Sequence, residues 1–146
     1  MAITQAIANA FKKQLLEGDQ NFKSSGGDVF KLALYTSSAT LNSTTTAYAN
    51  TNEVANSGQY TAGGSQLTGQ NTSIASGVAI VDFANLSFTG VTLTARGALI
   101  YNTSSAVTNA AVAVLNFGAD KTATSGTFTV QFPAFTTAAA ILRISG

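Results

Sequence analysis

The chain has 146 residues, a formal net charge of +1, no cysteine and no histidine. These absences exclude disulfides, thiolate metal sites and histidine-based catalysis. Charged residues make up 9% of the chain, against about 25% in an average domain, so it lacks the positive field that attracts nucleic acids. Hydrophobic residues make up 45%, which predicts one packed domain over residues 1–146.

The scarcity of charge also concerns the surface. Interface cores are depleted in charged side chains, so a charge-poor surface is easily buried against another subunit. Composition therefore favours an assembly component, and an extracellular monomer with a neutral polar coat is the alternative. No window approaches about 18 uninterrupted apolar residues, so we expect no transmembrane helix and no membrane partner.

A four-residue repeat of apolar side chains near the N-terminus predicts an α-helix over residues 3–17. The repeat consists of Ile3, Ile7, Phe11 and Leu15. Gly18 follows as a stop signal. The apolar stripe can either cover its own sheet or pack against a neighbouring subunit, so Phe11 is a candidate interface residue.

Alternation of apolar residues is clearest in the stretch 27–41, which predicts a strand over residues 29–36. One face of that strand carries Phe30, Leu32 and Leu34. A strand with one apolar face needs a second layer to cover it.

A long polar excursion follows over residues 37–76. A connection of this length without structure is unusual in a compact domain, so we expect short strands near 58–61 and 66–75 and an ordered excursion around 42–56. Such segments often carry contacts to partners, and a mobile surface loop is the alternative.

Apolar segments at regular spacing supply the other strands. They cover residues 78–83, 91–101, 111–117, 126–132 and 138–144. Thr89 and Gly90 are interpreted as a turn between residues 86–88 and 91–93, and Pro133 should end the strand before it. Strands separated in this way by polar turns predict an antiparallel β-sandwich, jelly-roll-like, with one N-terminal helix.

The acidic residues offer little for catalysis. They are Glu17, Asp19, Asp28, Glu53, Asp82 and Asp120. No spacing among them suggests the facing pair that a glycosidase needs, and no Gly-x-Ser-x-Gly elbow is present. We therefore expect no enzyme activity, no cofactor and no metal. Arg96, in a neutral stretch, is interpreted either as an ion-pair partner of Asp82 or Asp120 or as an interface residue.

Two of the four tyrosines, Tyr48 and Tyr60, lie in the polar excursion. Aromatic side chains can anchor protein interfaces or bind sugars. We favour protein contact and take Tyr48 and Tyr60 as candidate interface residues. A place at the edge of the core is the alternative for all four tyrosines.

Several stretches carry a resemblance when they are taken together. They are residues 11–18, 30–40, 51–54, 60–64, 95–102 and 111–120. The series is similar to a family of small virion structural proteins of tailed bacteriophages. Capsid cement or decoration proteins of this size are commonly β-rich and trimeric and sit where capsomers meet, so the resemblance implies such a fold and assembly. It carries no catalytic residues.

The resemblance implies a cement protein that clamps neighbouring capsid subunits from the outside of the virion. Its expected partners are further copies of itself, as a homotrimer, and the major capsid protein. A tail-associated or host-facing binding module, with residues 37–76 contacting a receptor, is the alternative function.

Overall fold

The computed structural model describes residues 2–133 and 140–145, and its elements are nearly all strands. In chain order they are β1 (Ala6–Ile7), α1 (Asn9–Leu16), β2 (Phe30–Tyr35), β3 (Ser65–Gln66), β4 (Asn71–Ala75), β5 (Val78–Asp82), β6 (Leu86–Asn102), β7 (Ala110–Val130) and β8 (Leu142–Ile144). The described strands form a five-stranded sheet, in the order β1-β7-β6-β2-β3, and a three-stranded sheet, in the order β4-β5-β8. Neighbouring strands in both sheets are antiparallel. The predicted mainly β class with antiparallel sheets and one N-terminal helix is confirmed.

β2 forms the strand that the alternation predicts over residues 29–36. It pairs with β6 on one side and with β3 on the other. Phe30 and Leu32 are fully buried on the predicted apolar face, and Ala33 and Tyr35 on the opposite face are buried as well. β2 is therefore packed on both faces, and it lies between β6 and β3 in the larger sheet.

β6 and β7 form a long two-stranded ribbon, which we call the ribbon below, and its length was not predicted. The turn expected at Thr89 and Gly90 is wrong, because β6 runs through both residues. Pairing with β7 is instead shifted between Phe88 and Val91, where Gly90 has a φ of 62°. Glycine serves bulges and turns equally well, so the sequence pattern did not distinguish them.

The ribbon bends back on itself. The rings of Phe117 and Phe128 in β7 lie 6.1 Å apart, whereas residues at that separation in a straight strand lie roughly 36 Å apart. Gly118 and Ser125, with φ values of 81° and 45°, flank the bend. The segments predicted as separate strands at 111–117 and 126–132 are thus the two arms of one strand.

The helix predicted over residues 3–17 is wrong in its first half. Ile3 forms a parallel bridge with Leu41, and β1 pairs with residues 113 and 114 of β7. Helix α1 begins only after Ala8, which is extended and fully buried. Short helices are marginal by themselves, so the hydrogen bonds and burial available at the edge of β7 determine the structure of residues 3–8.

Aromatic rings join α1 to the sheets. Phe22 stacks on Phe30 at 4.4 Å between ring centroids, and Phe11 meets Phe22 edge-on at 5.8 Å. Phe83, which follows β5, lies 5.8 Å from Phe30. Stacked and edge-to-face pairs of this kind add to the stabilisation from burial alone. The helix stripe therefore covers its own core.

The buried side-chain amide of Asn102, at the end of β6, connects two loops at one end of the larger sheet. Asn102 is fully buried, and its Nδ2 donates to Gln20 Oε1 at 2.8 Å and to Asp28 Oδ2 at 2.7 Å. Its Oδ1 accepts from the backbone N–H groups of Ser104 and Ser105. Because buried polar groups must find partners, Asn102 fixes both the 18–28 loop and the turn between β6 and β7.

The polar excursion is ordered and partly stranded. β3 and β4 correspond to the strands expected near 66–75, while the expected strand near 58–61 is reduced to a bridge between Ser57 and Tyr60. β8 corresponds to the end of the predicted 138–144 strand, of which residues 138 and 139 lie outside the described residues. β7 ends three residues before Pro133.

Candidate functional site

Glu53 lies at the centre of a hydrogen-bonded cluster within the polar excursion. Its Oε1 accepts a hydrogen bond from the Tyr48 hydroxyl at 2.6 Å. Its Oε2 accepts from the Tyr60 hydroxyl and from the Gly63 backbone N–H, both at 2.6 Å. Charge-assisted hydrogen bonds are stronger than neutral ones, so this single half-buried carboxylate holds together three separate points of the excursion.

The same cluster attaches the excursion to the larger sheet. Tyr60 is fully buried, and its hydroxyl accepts from the Leu34 N–H of β2 at 2.8 Å. The Tyr101 hydroxyl of β6 donates to the Gly63 carbonyl oxygen at 2.6 Å, and the Tyr101 ring stacks on Tyr48 at 4.7 Å. The order of residues 48–63 therefore depends on contacts with β2 and β6.

Tyr35 completes the set of four tyrosines. Its hydroxyl donates to the Ala49 carbonyl oxygen at 2.7 Å, and its backbone forms a bridge with Glu53. All four tyrosines thus contact or belong to the excursion. Of the interpretations made from the sequence, a place at the edge of the core is the one that fits them.

The tyrosines of the cluster are held in their protonated form. Burial first, and then the charge of Glu53, raises the pKa of Tyr101 to about 12. Burial followed by the hydrogen bond to Glu53 raises the pKa of Tyr48 and Tyr60 further above the ordinary value. Both oxygens of the Glu53 carboxylate accept hydrogen bonds from groups within the chain, so the cluster stabilises the conformation of the excursion.

Alkaline pH is expected to destabilise the protein through these tyrosines. An unfolded tyrosine ionises near its ordinary pKa of 10.0, while Tyr101 in the folded chain ionises at about 12. The contribution of Tyr101 to the free energy of unfolding is therefore complete below pH 10. It falls as the pH rises from 10 to 12, by up to about 1.4 kcal/mol per pH unit. Urea unfolding at stepped pH measures this slope. Tyr101→Phe should have a shallower one, and equal slopes would contradict the expectation.

Two of the four candidate interface residues lie in the core of their own protomer. Phe11 is 4% exposed and Tyr60 is fully buried. The Tyr60 ring is not accessible to a partner, and the Phe11 ring is accessible only from a cleft of about 280 Å³ between α1 and the smaller sheet. For the helix stripe, the alternative interpretation, that it covers its own sheet, is the one observed.

The other two candidates are accessible. Tyr48 is half-buried, with its hydroxyl directed to Glu53. Arg96 is 39% exposed in its side chain and contacts Asp120 at 3.4 Å, which confirms one of its two predicted ion pairs. The other predicted partner, Asp82, lies opposite Asn71 in the smaller sheet. An exposed pair of this kind contributes little stability.

Sequence reasoning missed Glu53, although one signal could have indicated it. It is the only charged residue between positions 37 and 76. A lone carboxylate in a neutral tract that also contains tyrosines is a candidate for internal hydrogen bonding, because hydroxyl donors are then its nearest partners. Leu34 of β2 and Tyr101 of β6, which bind Tyr60 and Gly63 of the cluster, are far away in sequence, so local spacing could not connect them with it.

The outer half of the ribbon exposes a surface that we call the hydroxyl face. It consists of Ser87, Thr89, Thr92, Thr94, Thr122, Thr124, Thr127 and Thr129, all exposed. Cross-strand hydroxyls contact each other at 2.9 Å between Ser87 and Thr129, and again between Thr94 and Thr122. Neither 86–95 nor 122–130 contains a charged residue. The hydroxyl face therefore offers hydrogen-bonding groups without electrostatic steering.

Comparison with known proteins adds no family assignment. No protein-family model, no curated protein and no solved structure matches the chain.

Within residues 2–133 and 140–145 there is no group of three or more acidic, histidine or cysteine side chains able to hold a metal. No helix in the described part of the chain has the length and apolar character to span a bilayer. The class that fold and site define is a mainly β protein with an internal polar cluster and an exposed hydroxyl face.

Proposed function

We propose that this chain is a structural protein of a tailed-bacteriophage virion, a cement protein that binds across neighbouring major capsid subunits on the outside of the shell. The resemblance of the sequence supports this assignment. The structural observation that carries it is the hydroxyl face, a long exposed surface without charge. Such a surface can be buried against a coat protein at little desolvation cost for ions.

The mechanism is linkage between binding and assembly. A protein that binds the assembled shell, and not separate capsid subunits, stabilises the shell by its binding free energy. No bond is made or broken, and the protein contributes contact area, hydroxyl groups and a rigid ribbon. The Glu53 cluster and the network around Asn102 contribute rigidity, because both fix loops that would otherwise lose entropy on binding.

The tail-associated or host-facing module is the second candidate, and it has less support. This second candidate requires the tyrosines of the excursion to contact a receptor. The hydroxyls of Tyr48 and Tyr60 are used within the chain, and the Tyr60 ring is buried. A receptor would have to be recognised by other groups of residues 37–76.

Binding to the shell is expected to depend weakly on salt. Exposed charges are screened within about 8 Å at physiological ionic strength, but a neutral contact has little to screen. We expect the dissociation constant for purified shells to change less than about threefold between low and high salt. Sedimentation of shells with the protein measures it. A steep loss with salt would contradict a neutral contact.

The number of copies in the virion distinguishes the two candidates. Quantitative mass spectrometry of particles that contain the chain, with a reconstruction, should give a fixed ratio to the major capsid protein if the chain is cement. A few copies at one vertex would support the tail module. Absence from purified particles would overturn both.

A further inference from the structure

Strand β4 forms an open edge of the smaller sheet. It pairs with β5 on one side, and the described residues supply no backbone partner on its other side. All five of its residues, Asn71–Ala75, are exposed. A two-stranded hairpin is at best marginally stable by itself. β4 therefore gains little from burial and presents a row of backbone groups to the surroundings.

The other sheet edges are protected against pairing, whereas β4 is not. β1 and β3, at the edges of the larger sheet, are two residues long, and β8, at the far edge of the smaller sheet, carries Arg143. Short strands and charged side chains prevent edge-to-edge pairing. β4 has five residues without charge or proline, and its pairing with β5 contains no bulge. Among the strands that the structure describes, β4 is therefore the edge suited to pair with another chain.

The turn after β4 determines which of its backbone groups point outward. Ser76 and Gly77, with φ values of 51° and 76°, form a two-residue loop, and the residues that flank it are paired. In such a hairpin the flanking pair is hydrogen-bonded, and bonded and non-bonded pairs then alternate along the strands. The N–H and C=O groups of Thr72 and Ile74 consequently point away from β5. The Thr72 N–H donates to Asn71 Oδ1 at 2.9 Å.

These outward groups are symmetric about Ser73, the central residue of β4. A second β4 that runs antiparallel, related by a two-fold axis at Ser73, places Thr72 opposite Ile74 of the partner subunit. The same axis places Ile74 opposite Thr72 of the partner subunit. Each of these pairs can exchange two hydrogen bonds, because all the groups involved face the axis. The edge of β4 is therefore complementary to itself in one register.

Side chains and charges are compatible with the same register. Ile74 is 73% exposed and lies on the same strand face as Thr72. In the pair it would neighbour Thr72 of the partner subunit directly and Ile74 of the partner subunit diagonally, contacts that stabilise paired strands. The charged residues of the smaller sheet are Asp82, at the end of β5, and Arg143, in β8. Neither meets its own copy, because antiparallel pairing of β4 places the two Asp82 residues at opposite ends and the two β8 strands at opposite edges.

We propose that β4 pairs with β4 of a second copy around a two-fold axis at Ser73, which joins the two smaller sheets into one. The contact is isologous, and it stops at two copies because the other edges are protected. Five residues a side are far fewer than the roughly 20–30 of a standard interface, so the dimer is weak. The pairing does not depend on the proposed shell role, and it differs from the three-fold arrangement that the resemblance implies.

A single introduced cysteine tests the position of the axis, because the chain has no cysteine of its own. In the proposed dimer Ser73 faces its own copy as a non-hydrogen-bonded pair, with Cα atoms about 4.5 Å apart, which a disulfide can span. Oxidation of Ser73→Cys should therefore give a covalent dimer of twice the 14.8 kDa chain mass. Ala75→Cys is the matched control. It is also exposed, but it lies roughly 14 Å from its own copy and should crosslink at least about tenfold more slowly.

Sedimentation velocity tests the reversible contact at chain concentrations up to about 1 mM. The unmodified chain should dimerise in this range. Ile74→Lys should weaken the dimer roughly tenfold or more, because the two introduced cations then meet diagonally across the axis. Ile144→Lys is the control, since Ile144 is 58% exposed on the same face but lies in β8. Far-UV spectra of all four variants should match that of the unmodified chain, because the substituted residues are exposed.

Three results would each overturn the proposal. They are a chain that stays monomeric up to about 1 mM, an Ile74→Lys dimer of undiminished affinity, and a Ser73→Cys variant that crosslinks no faster than Ala75→Cys. If the chain is monomeric, protection of the Thr72 and Ile74 amides from hydrogen exchange only on purified shells would assign the edge to a strand of the coat protein. The shell-binding tests themselves do not depend on the outcome.

Discussion

Replacement of Glu53 by alanine is expected to lower the free energy of unfolding by about 3–5 kcal/mol. The substitution removes the acceptor of the Tyr48 and Tyr60 hydroxyls and of the Gly63 N–H. Each buried donor left without a partner costs about 1–3 kcal/mol. Urea unfolding with linear extrapolation measures the change.

Hydrogen exchange should locate this loss in the excursion. Protection of amides in residues 42–64 should fall more than protection in β2, because the cluster joins the former to the latter. Glu53→Gln should cost less, since its carbonyl oxygen still accepts, although its amide group faces the Tyr48 hydroxyl. Glu17→Ala is the control: its exposed pair with Lys13, at 3.2 Å, should be worth less than about 0.5 kcal/mol. A loss below about 1 kcal/mol for Glu53→Ala would contradict a central role for the carboxylate.

Local alternation was enough to predict the strands whose burial it reflects. Phe30–Tyr35 was found in this way, because burial against a second layer requires apolar side chains at every second residue. The same reasoning failed where one residue type is compatible with two different local structures. Gly90 suits a turn and a bulge alike, so the continuity of β6 depended on its pairing with β7 over most of its length.

Contacts between residues far apart in sequence also determined two features that local patterns could not predict. Residues 3–8 have a helical pattern, but β1 and the Ile3 bridge satisfy their backbone groups at a sheet edge. The candidate site depended on pairing too. Glu53 receives hydrogen bonds from within its own tract, but the position of that tract is set by Leu34 and Tyr101, which lie in β2 and β6. No local spacing encodes such contacts.

A second large effect is expected at Gly64, beside the Glu53 cluster. Gly64 has a φ of 75°, and a Cβ atom there would overlap the carbonyl oxygen of Leu32 in β2. Gly64→Ala should therefore lower the free energy of unfolding by about 3–5 kcal/mol. Two costs add up to this value: the strain of a left-handed backbone at a non-glycine residue and the displacement of the fully packed strand β2. Gly77 is the matched control, because its φ is 76° and nothing lies within 4 Å of an added Cβ.

The difference between these two variants isolates the close approach of the excursion to β2. Gly77→Ala should cost only the backbone strain, about 1–2 kcal/mol. Gly64→Ala should also change the tyrosine fluorescence of the folded protein, since Gly63 contacts both Glu53 and Tyr101 and the chain has no tryptophan. Equal losses of stability would mean that the excursion can move away from β2 freely. In that case the cluster could not provide the rigidity on which the proposed binding to a shell depends, because a mobile excursion would lose entropy on binding.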